Sequence, residues 1–421
     1  MNRGMGVWRA LLGAVCAWAC VSLPAQAAAV SEAAQALHQR LLVLDSHMDT
    51  PRQLVRPGWD ILQRHDYASD LSQVDVPRMR EGGLDGGFWA IYTPQGARTV
   101  QGRADAAAYG LSQLLRLRDL VDRHPQVFGL ALTPEDAGRI AAAGKRVVFI
   151  SMENAEPLAA DPALLATYQR QGLRMLGLVH SSNSDLADSA TAIAEWHGLS
   201  PTGRQLVQQA NCLGILLDAS HASDSAFDQM LELSRAPIIL SHSSSRAVNP
   251  HPRNMDDQRL LRLAARGGVI QVNTYSSYIA PLAADPRRDA ALQPLYARLR
   301  QMAALSPNEF RSLAAEIGEV ERRYPKPQAS LDDFMAHLLH ALKLLGPEHV
   351  GIGADWDGGG GFAGLEDVSQ LPKITERLLQ AGYSEQDIAA VWSGNLLRVL
   401  GQAQAFPLSA QARDGYCSPA R

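Results

Sequence analysis

Short apolar runs recur along this chain, each followed by a polar cluster and then by a helical pattern. Eight stand out, at 42–46, 86–92, 146–152, 173–179, 213–220, 237–241, 269–275 and 350–354. Most are unbroken stretches of Val, Ile and Leu rather than alternating ones. An unbroken run suits a strand buried on both faces, as in a parallel sheet covered by helices. The segments between them read as helices. Over 105–123, Leu111, Leu114, Leu115 and Leu120 recur between Arg and Asp, and 158–171, 203–211, 223–234 and 257–266 are similar. Strand and helix alternating throughout predicts an α/β fold. Eight repeats predict a closed (β/α)8 TIM barrel rather than an open doubly wound sheet.

Between the seventh and eighth runs lies an insertion, about 280–345, with helical flanks at 295–305 and 331–345 and a break at Pro325, Lys326 and Pro327. On a barrel, such an excursion lies over the active-site face, as a lid or a subunit contact. The other end of the chain speaks for export. Arg3 and Arg9 precede an apolar run from Leu11 to Leu23, and Ala25-Gln26-Ala27 follows. That is the order of a cleavable signal peptide, and the run is shorter than the roughly 20 residues a bilayer span needs. We therefore set 1–27 apart and assign 28–421 to the barrel, an exported protein, periplasmic or secreted, with no stable membrane anchor. Losing Arg3 and Arg9, with no acid beside them, moves the net charge from −4 to −6. A mildly acidic chain has no electrostatic footprint for nucleic acid or anionic lipid, so the expected partner is a small molecule. Of four cysteines, Cys16 and Cys20 leave with the signal. Cys212, opening an apolar run, is expected to be a buried thiol rather than the partner of Cys417.

Polar residues gather where the runs end, which is where barrel enzymes build their sites. The first leads into Asp45-Ser46-His47-Met48-Asp49, and the third ends in Glu153. The fourth ends at His180, the fifth in Asp218-Ala219-Ser220-His221, the sixth in Ser241-His242 and the eighth in Asp355-Trp356-Asp357. Packing alone would place apolar residues there. A buried carboxylate such as Glu153 is costly to desolvate unless it meets a cation; Glu156 is its rival in the same loop. Ligand counting then gives His47 and Asp49 to one ion, His221 and His242 to a second, and Glu153 between them. Imidazole with carboxylate suits zinc, and two such ions can share a hydroxide that attacks a polarised carbonyl.

At this point the chain resembles the membrane dipeptidase family of renal dipeptidase-like metallopeptidases, within the amidohydrolase superfamily. The matching segments include Leu44-Asp45-Ser46-His47-Met48-Asp49, Gly87-Phe88-Trp89, Leu178-Val179-His180, Leu217-Asp218-Ala219-Ser220-His221, Ser241-His242-Ser243-Ser244, His251-Pro252-Arg253-Asn254 and Gly351-Ile352-Gly353-Ala354-Asp355-Trp356-Asp357-Gly358. The resemblance implies two Zn2+ ions on the five residues counted above. It also implies that His180 binds substrate and steadies the oxyanion, that Asp355 shuttles the proton, and that Arg253, helped by Tyr278, grips the substrate carboxylate. Asp357 is then a turn or supporting residue. The implied reaction is hydrolysis of dipeptides, L-Xaa-D-Xaa included, and a homodimer is implied by resemblance alone. Two departures, Met48 in the first motif and Asn154-Ala155 after Glu153, are expected to touch pocket walls. Two other readings stay open on the same residues: an amidohydrolase acting on N-acyl amino acids or cyclic amides, and a non-catalytic binding protein.

Overall fold

A computed structural model describes residues 30–409 together with Met1, Tyr416 and Cys417; the signal peptide proposed for 1–27 lies outside the described residues, Met1 apart. Nine parallel strands form: β1 (Leu44–Met48), β2 (Gly86–Tyr92), β3 (Phe128–Leu130), β4 (Arg146–Glu153), β5 (Leu173–Gly177), β6 (Leu216–Asp218), β7 (Ile239–Ser243), β8 (Val269–Val272) and β9 (Val350–Ile352). Eight of them run in the order β1-β2-β4-β5-β6-β7-β8-β9, and each falls on or beside one of the eight apolar runs. The short β3 pairs only with β4 and has no counterpart among those runs. The seam between β1 and β9 is nearly closed. Met48 bridges Trp356, the Asp49 amide donates to the Trp356 carbonyl at 2.8 Å, and the buried Asp45 carboxylate accepts the Ala354 amide at 3.0 Å. The architecture is therefore a (β/α)8 barrel.

Two layers of apolar packing hold it. Leu44, Phe88, Val147, Phe149, Met175, Leu216, Ile239 and Val269 fill the lower lumen, joined by Leu396, Val399 and Leu400 of the helix Asn395–Ala405. Trp89, Ile91, Val148, Ile150, Leu217 and Leu240 face outward into the core beneath the surrounding helices. Gly86 and Gly87 let β1, β2 and β4 come together, because a Cβ on Gly87 would stand 1.8 Å from the Asp45 carbonyl oxygen and one on Gly86 2.1 Å from that of Val147. Both hold a positive φ that side chains disfavour.

The insertion between β8 and β9 is helical, as its flanks suggest: Pro286–Leu299, Pro307–Arg323 and Leu331–Leu345, with the break at Pro325–Pro327 left in coil. Its middle helix lies against the segment after β1, where the Arg56 guanidinium stacks 3.5 Å over the Phe310 ring. A dinucleotide loop is absent from the described fold despite one spacing match. Gly359, Gly361 and Gly364 meet the G-x-G-x-x-G pattern, but they form turns closed by the Phe362–Leu365 bridge and open no helix.

Two expectations need correction. Cys212 is not a buried thiol: it forms a disulfide with Cys417, Cα atoms 5.4 Å apart. Met48 is not a pocket wall. It is fully buried in the outer core, on the opposite side of the strand from the site. Among the described residues, no helix is long and apolar enough to cross a membrane.

Candidate active site

Simple strand alternation would misplace two of the site's histidines. In β7, Ile239 faces the lumen and Leu240 the outer core, so His242 should follow Leu240 outward. The β7–β8 register shifts between Leu240 and Ser243, and the β1–β2 register shifts between Asp45 and Met48. Such irregularities re-aim side chains. Here they turn His242 and His47 inward and send Met48 to the core. In β4 the alternation is unbroken: Val147, Phe149, Ser151 and Glu153 share the lumen face, and Glu153 tops the column.

At the carboxyl ends of the strands these residues meet. His47 Nε2 lies 3.5 Å from Asp49 Oδ2, 3.6 Å from Glu153 Oε2 and 4.0 Å from Asp355 Oδ1. On the other side of the same carboxylate, Glu153 Oε1 lies 3.1 Å from His221 Nε2, 3.5 Å from His242 Nε2 and 3.9 Å from His180 Nε2. Three donor sets thus have ligand atoms within 4.8 Å of one another: His47, Glu153 and His242; Glu153, His180 and His221; His47, Asp49 and Asp355. Gly358 permits the crowding, since a Cβ there would stand 2.1 Å from both Asp49 Oδ2 and Asp355 Oδ1.

The electrostatics fit a cation. Asp49, Glu153 and Asp355 are buried together, and burying several carboxylates without compensating charge is strongly unfavourable. Burial, then the neighbouring Asp49 and Glu153 charges, push the Asp355 carboxyl well above the usual range. Burial lowers His47, but the charges of Glu153 and Asp49 outweigh it and hold the imidazole well above its ordinary value. Burial, reinforced by nearby positive groups including Arg253, drives His221 and His242 well below theirs, so both are neutral and able to ligate. His47 Nε2, which faces Asp49, Glu153 and Asp355, is buried with no hydrogen-bond partner, as is Asp49 Oδ1. Buried polar atoms without partners are rare. Both facts suit metal on this donor set.

The remaining candidates line the same rim. His180 is half-buried and packs its ring 4.9 Å from that of Tyr92 and 4.2 Å from that of His221. Arg253 is buried, donates to Ser243 Oγ at 3.3 Å and to the His242 carbonyl at 3.1 Å, and keeps its Nε without a partner. Its guanidinium lies 5.2 Å from the Tyr278 ring. Asp355, His221 and Asn154 all hold positive φ at strand ends, a strained conformation typical of functional turns. The two rivals fall away from the cluster. Asp357 accepts from Thr50 Oγ1, Gln53 Nε2 and the Gln73 amide, and Glu156 pairs with Asp185 and is raised to about 7 by burial and that neighbour. Sequence reasoning passed over Asp218 and Ser241, which stand behind His242. The signal was present in the motif itself, an acid three residues before His221.

A parallel barrel whose rim gathers imidazoles and carboxylates around one shared glutamate is the frame of a metal-dependent hydrolase. Residues 31–414 match the family described as Membrane dipeptidase (Peptidase family M19), and the chain belongs to that family. It is 30% identical over 382 residues to Dipeptidase 3 of Rattus norvegicus, covering 89% of this chain and 67% of that one. It is 29% identical over 370 residues to Dipeptidase tcpJ of Claviceps purpurea, covering 86% and 76%. Among solved structures it resembles the probable dipeptidase PvdM from Pseudomonas aeruginosa, with a TM-score of 0.74, 29% identity and coverage of 89% and 98%. A metallo peptidase from Rhodobacter sphaeroides, liganded with a phosphinate mimic of the dipeptide L-Ala-D-Ala, has a TM-score of 0.69 at 25% identity, covering 86% and 99%. The chain is accordingly a peptidase of the metallo-dipeptidase class.

Proposed function

We propose that this protein is an exported, zinc-dependent dipeptidase, and that it accepts dipeptides with a D-residue at the carboxyl end. The observation that carries the reading is Glu153, whose two oxygens face His47 on one side and His221 with His242 on the other. His47 and Asp49 would hold one ion and His221 and His242 the other, with Glu153 common to both. When bound there, zinc would supply an acidified water for the attack and a Lewis acid for the scissile carbonyl.

The chain's own residues supply the rest. Arg253 presents an unpartnered, buried N–H to the substrate carboxylate, where a guanidinium fork is the natural partner, and Tyr278 flanks it. His180, at the open side of the cluster, donates toward the carbonyl oxygen as negative charge develops there. Asp355 takes up the proton that the attacking water gives up and delivers it to the leaving amine. Kinship with the Rhodobacter sphaeroides enzyme, whose ligand mimics L-Ala-D-Ala, supports the stereochemical part.

The test is metal analysis of purified protein together with a panel of L-L and L-D dipeptides and N-acetyl amino acids. Two zinc ions per chain and cleavage of dipeptides are expected. Cleavage of the N-acetyl compounds alone would transfer the site to a related amidohydrolase reaction, and stoichiometric zinc with nothing cut would end the enzymatic reading.

A further inference from the structure

Under the insertion, beside the donor cluster, lies a cavity of about 500 Å³. That is the size of a whole small-molecule site rather than of a methyl-sized side-chain niche. No residue of the donor cluster lines it; it borders the cluster through Asp357 and Gly358, and Gly358 packs against Asp49 and Asp355, whereas Arg253 is tied to Ser243 and the His242 carbonyl. A dipeptide lying across the cluster with its carboxylate on Arg253 would bring its amino-terminal residue to the Gly358 side, where the cavity begins. Its apolar wall comes from both layers: Tyr275 from the barrel, Tyr67 and Leu71 from the segment after β1, and Leu299, Met302 and Phe310 from the insertion.

The charges on this wall are unevenly matched. The acids are engaged: Asp357 accepts from Thr50 and Gln53, Glu321 pairs with Arg288 at 3.2 Å, and Glu366 Oε1 takes the Gly364 amide at 2.8 Å. The three cations, Arg52, Arg300 and Lys326, form no ion pair among the described residues, although Glu321 lies near enough to Lys326 to favour its charge. Lys326 makes no hydrogen bond or ion pair among the described residues, and its Nζ lies 6.0 Å from the Tyr275 ring. Arg52 gives one N–H to the Asp357 carbonyl oxygen and forms no ion pair among the described residues, although its charge acts on Asp49 and Asp357. Pro325 and Pro327 fix the backbone on both sides of Lys326.

We propose that this cavity is the subsite for the amino-terminal residue of the substrate, and that it selects a long side chain ending in an anionic group, read by Lys326 and Arg52. The proposal rests on the dipeptidase reading. L-Glu-L-Ala and L-Gln-L-Ala have nearly the same shape and differ in that charge, so the ratio of their kcat/KM values isolates the effect from folding and metal content. The ratio should favour the glutamyl substrate about tenfold, equivalent to about 1.4 kcal/mol. It should fall partway in Lys326→Gln and to parity or below in Lys326→Glu. A wild-type ratio near one, or a ratio unmoved by Lys326→Glu, overturns the subsite while leaving the dipeptidase standing. Failure to cut these dipeptides, L-Ala-L-Ala and L-Ala-D-Ala alike overturns the dipeptidase, and the subsite with it.

Discussion

The Ser241 hydroxyl lies 2.8 Å from His242 Nδ1 and gives its own proton to Asp218 Oδ2 at 2.5 Å. With that proton committed, the hydroxyl can only accept from the ring. Nδ1 therefore carries hydrogen, and Nε2 keeps its lone pair, 2.9 Å from His221 Nε2 and 3.5 Å from Glu153 Oε1. Asp218 is itself fixed by the amides of Ser220 and Ser241, both at 2.9 Å. Histidine ligands depend on such partners for tautomer and orientation.

Removing the relay should loosen metal without unfolding the barrel. Ser241→Ala is expected to weaken metal binding about 10- to 100-fold, the usual cost of losing an outer partner. Asp218→Asn should act in the same direction. Competition against a chelator of known affinity measures it, and unaltered binding in both variants would strip Ser241 and Asp218 of this role.

Asp355 offers a sharper separation of binding from chemistry. It sits 4.0 Å from His47 Nε2, at the edge of the cluster rather than between its two halves. Asp355→Asn keeps the shape and removes the exchangeable carboxyl proton. Turnover should drop by about 10²–10⁴, the range for loss of a general acid–base group, while metal content stays at the wild-type stoichiometry. Loss of metal in step with activity would make Asp355 a ligand instead.

The barrel and its rim were legible in the sequence because both follow from local pattern. Strands buried on both faces announce themselves as unbroken Val, Ile and Leu, and Glu153 follows in strict alternation from Phe149. What periodicity could not show was where register breaks. The shifts before Met48 and Ser243 depend on neighbouring strands, so the inward turn of His47 and His242 and the outward turn of Met48 have no one-dimensional signature. The three residues of β3 are too few to carry a period. Cys212 and Cys417 lie 205 positions apart, and only the folded path of the tail brings them together.

That disulfide should matter to stability and not to catalysis. It joins the end of the helix Pro201–Cys212, which precedes β6, at the face of the barrel away from the donor cluster. The tail is also held by the Tyr416 ring, edge-on to Phe406 at 5.5 Å. Losing such a native disulfide typically costs about 2–5 kcal/mol. Cys417→Ser should lower the urea midpoint accordingly and leave kcat/KM within about twofold at temperatures where the variant is folded. An unchanged midpoint would mean that the bond constrains little in the unfolded chain.

His38 should tie stability to pH in a calculable direction. It is buried, with Nε2 2.8 Å from the Gly82 carbonyl and Nδ1 2.7 Å from Thr375 Oγ1, which also accepts from Trp392. A carbonyl can only accept, so the neutral ring donates through Nε2 and accepts through Nδ1. Burial lowers its pKa from 6.5 to about 4, against the opposing Gly82 bond. Between those values the unfolded chain binds a proton that the folded chain refuses. The contribution is therefore complete above pH 6.5 and is lost as pH falls toward 4, a swing of roughly 3 kcal/mol. His337, also lowered to about 4 by burial, has the same sign, so a difference between two proteins is needed to isolate His38. His38→Gln keeps a donor for Gly82 and cannot titrate. Its stability deficit against wild type should shrink by about 2 kcal/mol between pH 7.5 and pH 5 in urea unfolding, because only the wild type pays for a neutral ring. A deficit that stays constant with pH would place the ordinary imidazole equilibrium inside the fold, and the buried neutral tautomer would have to be given up.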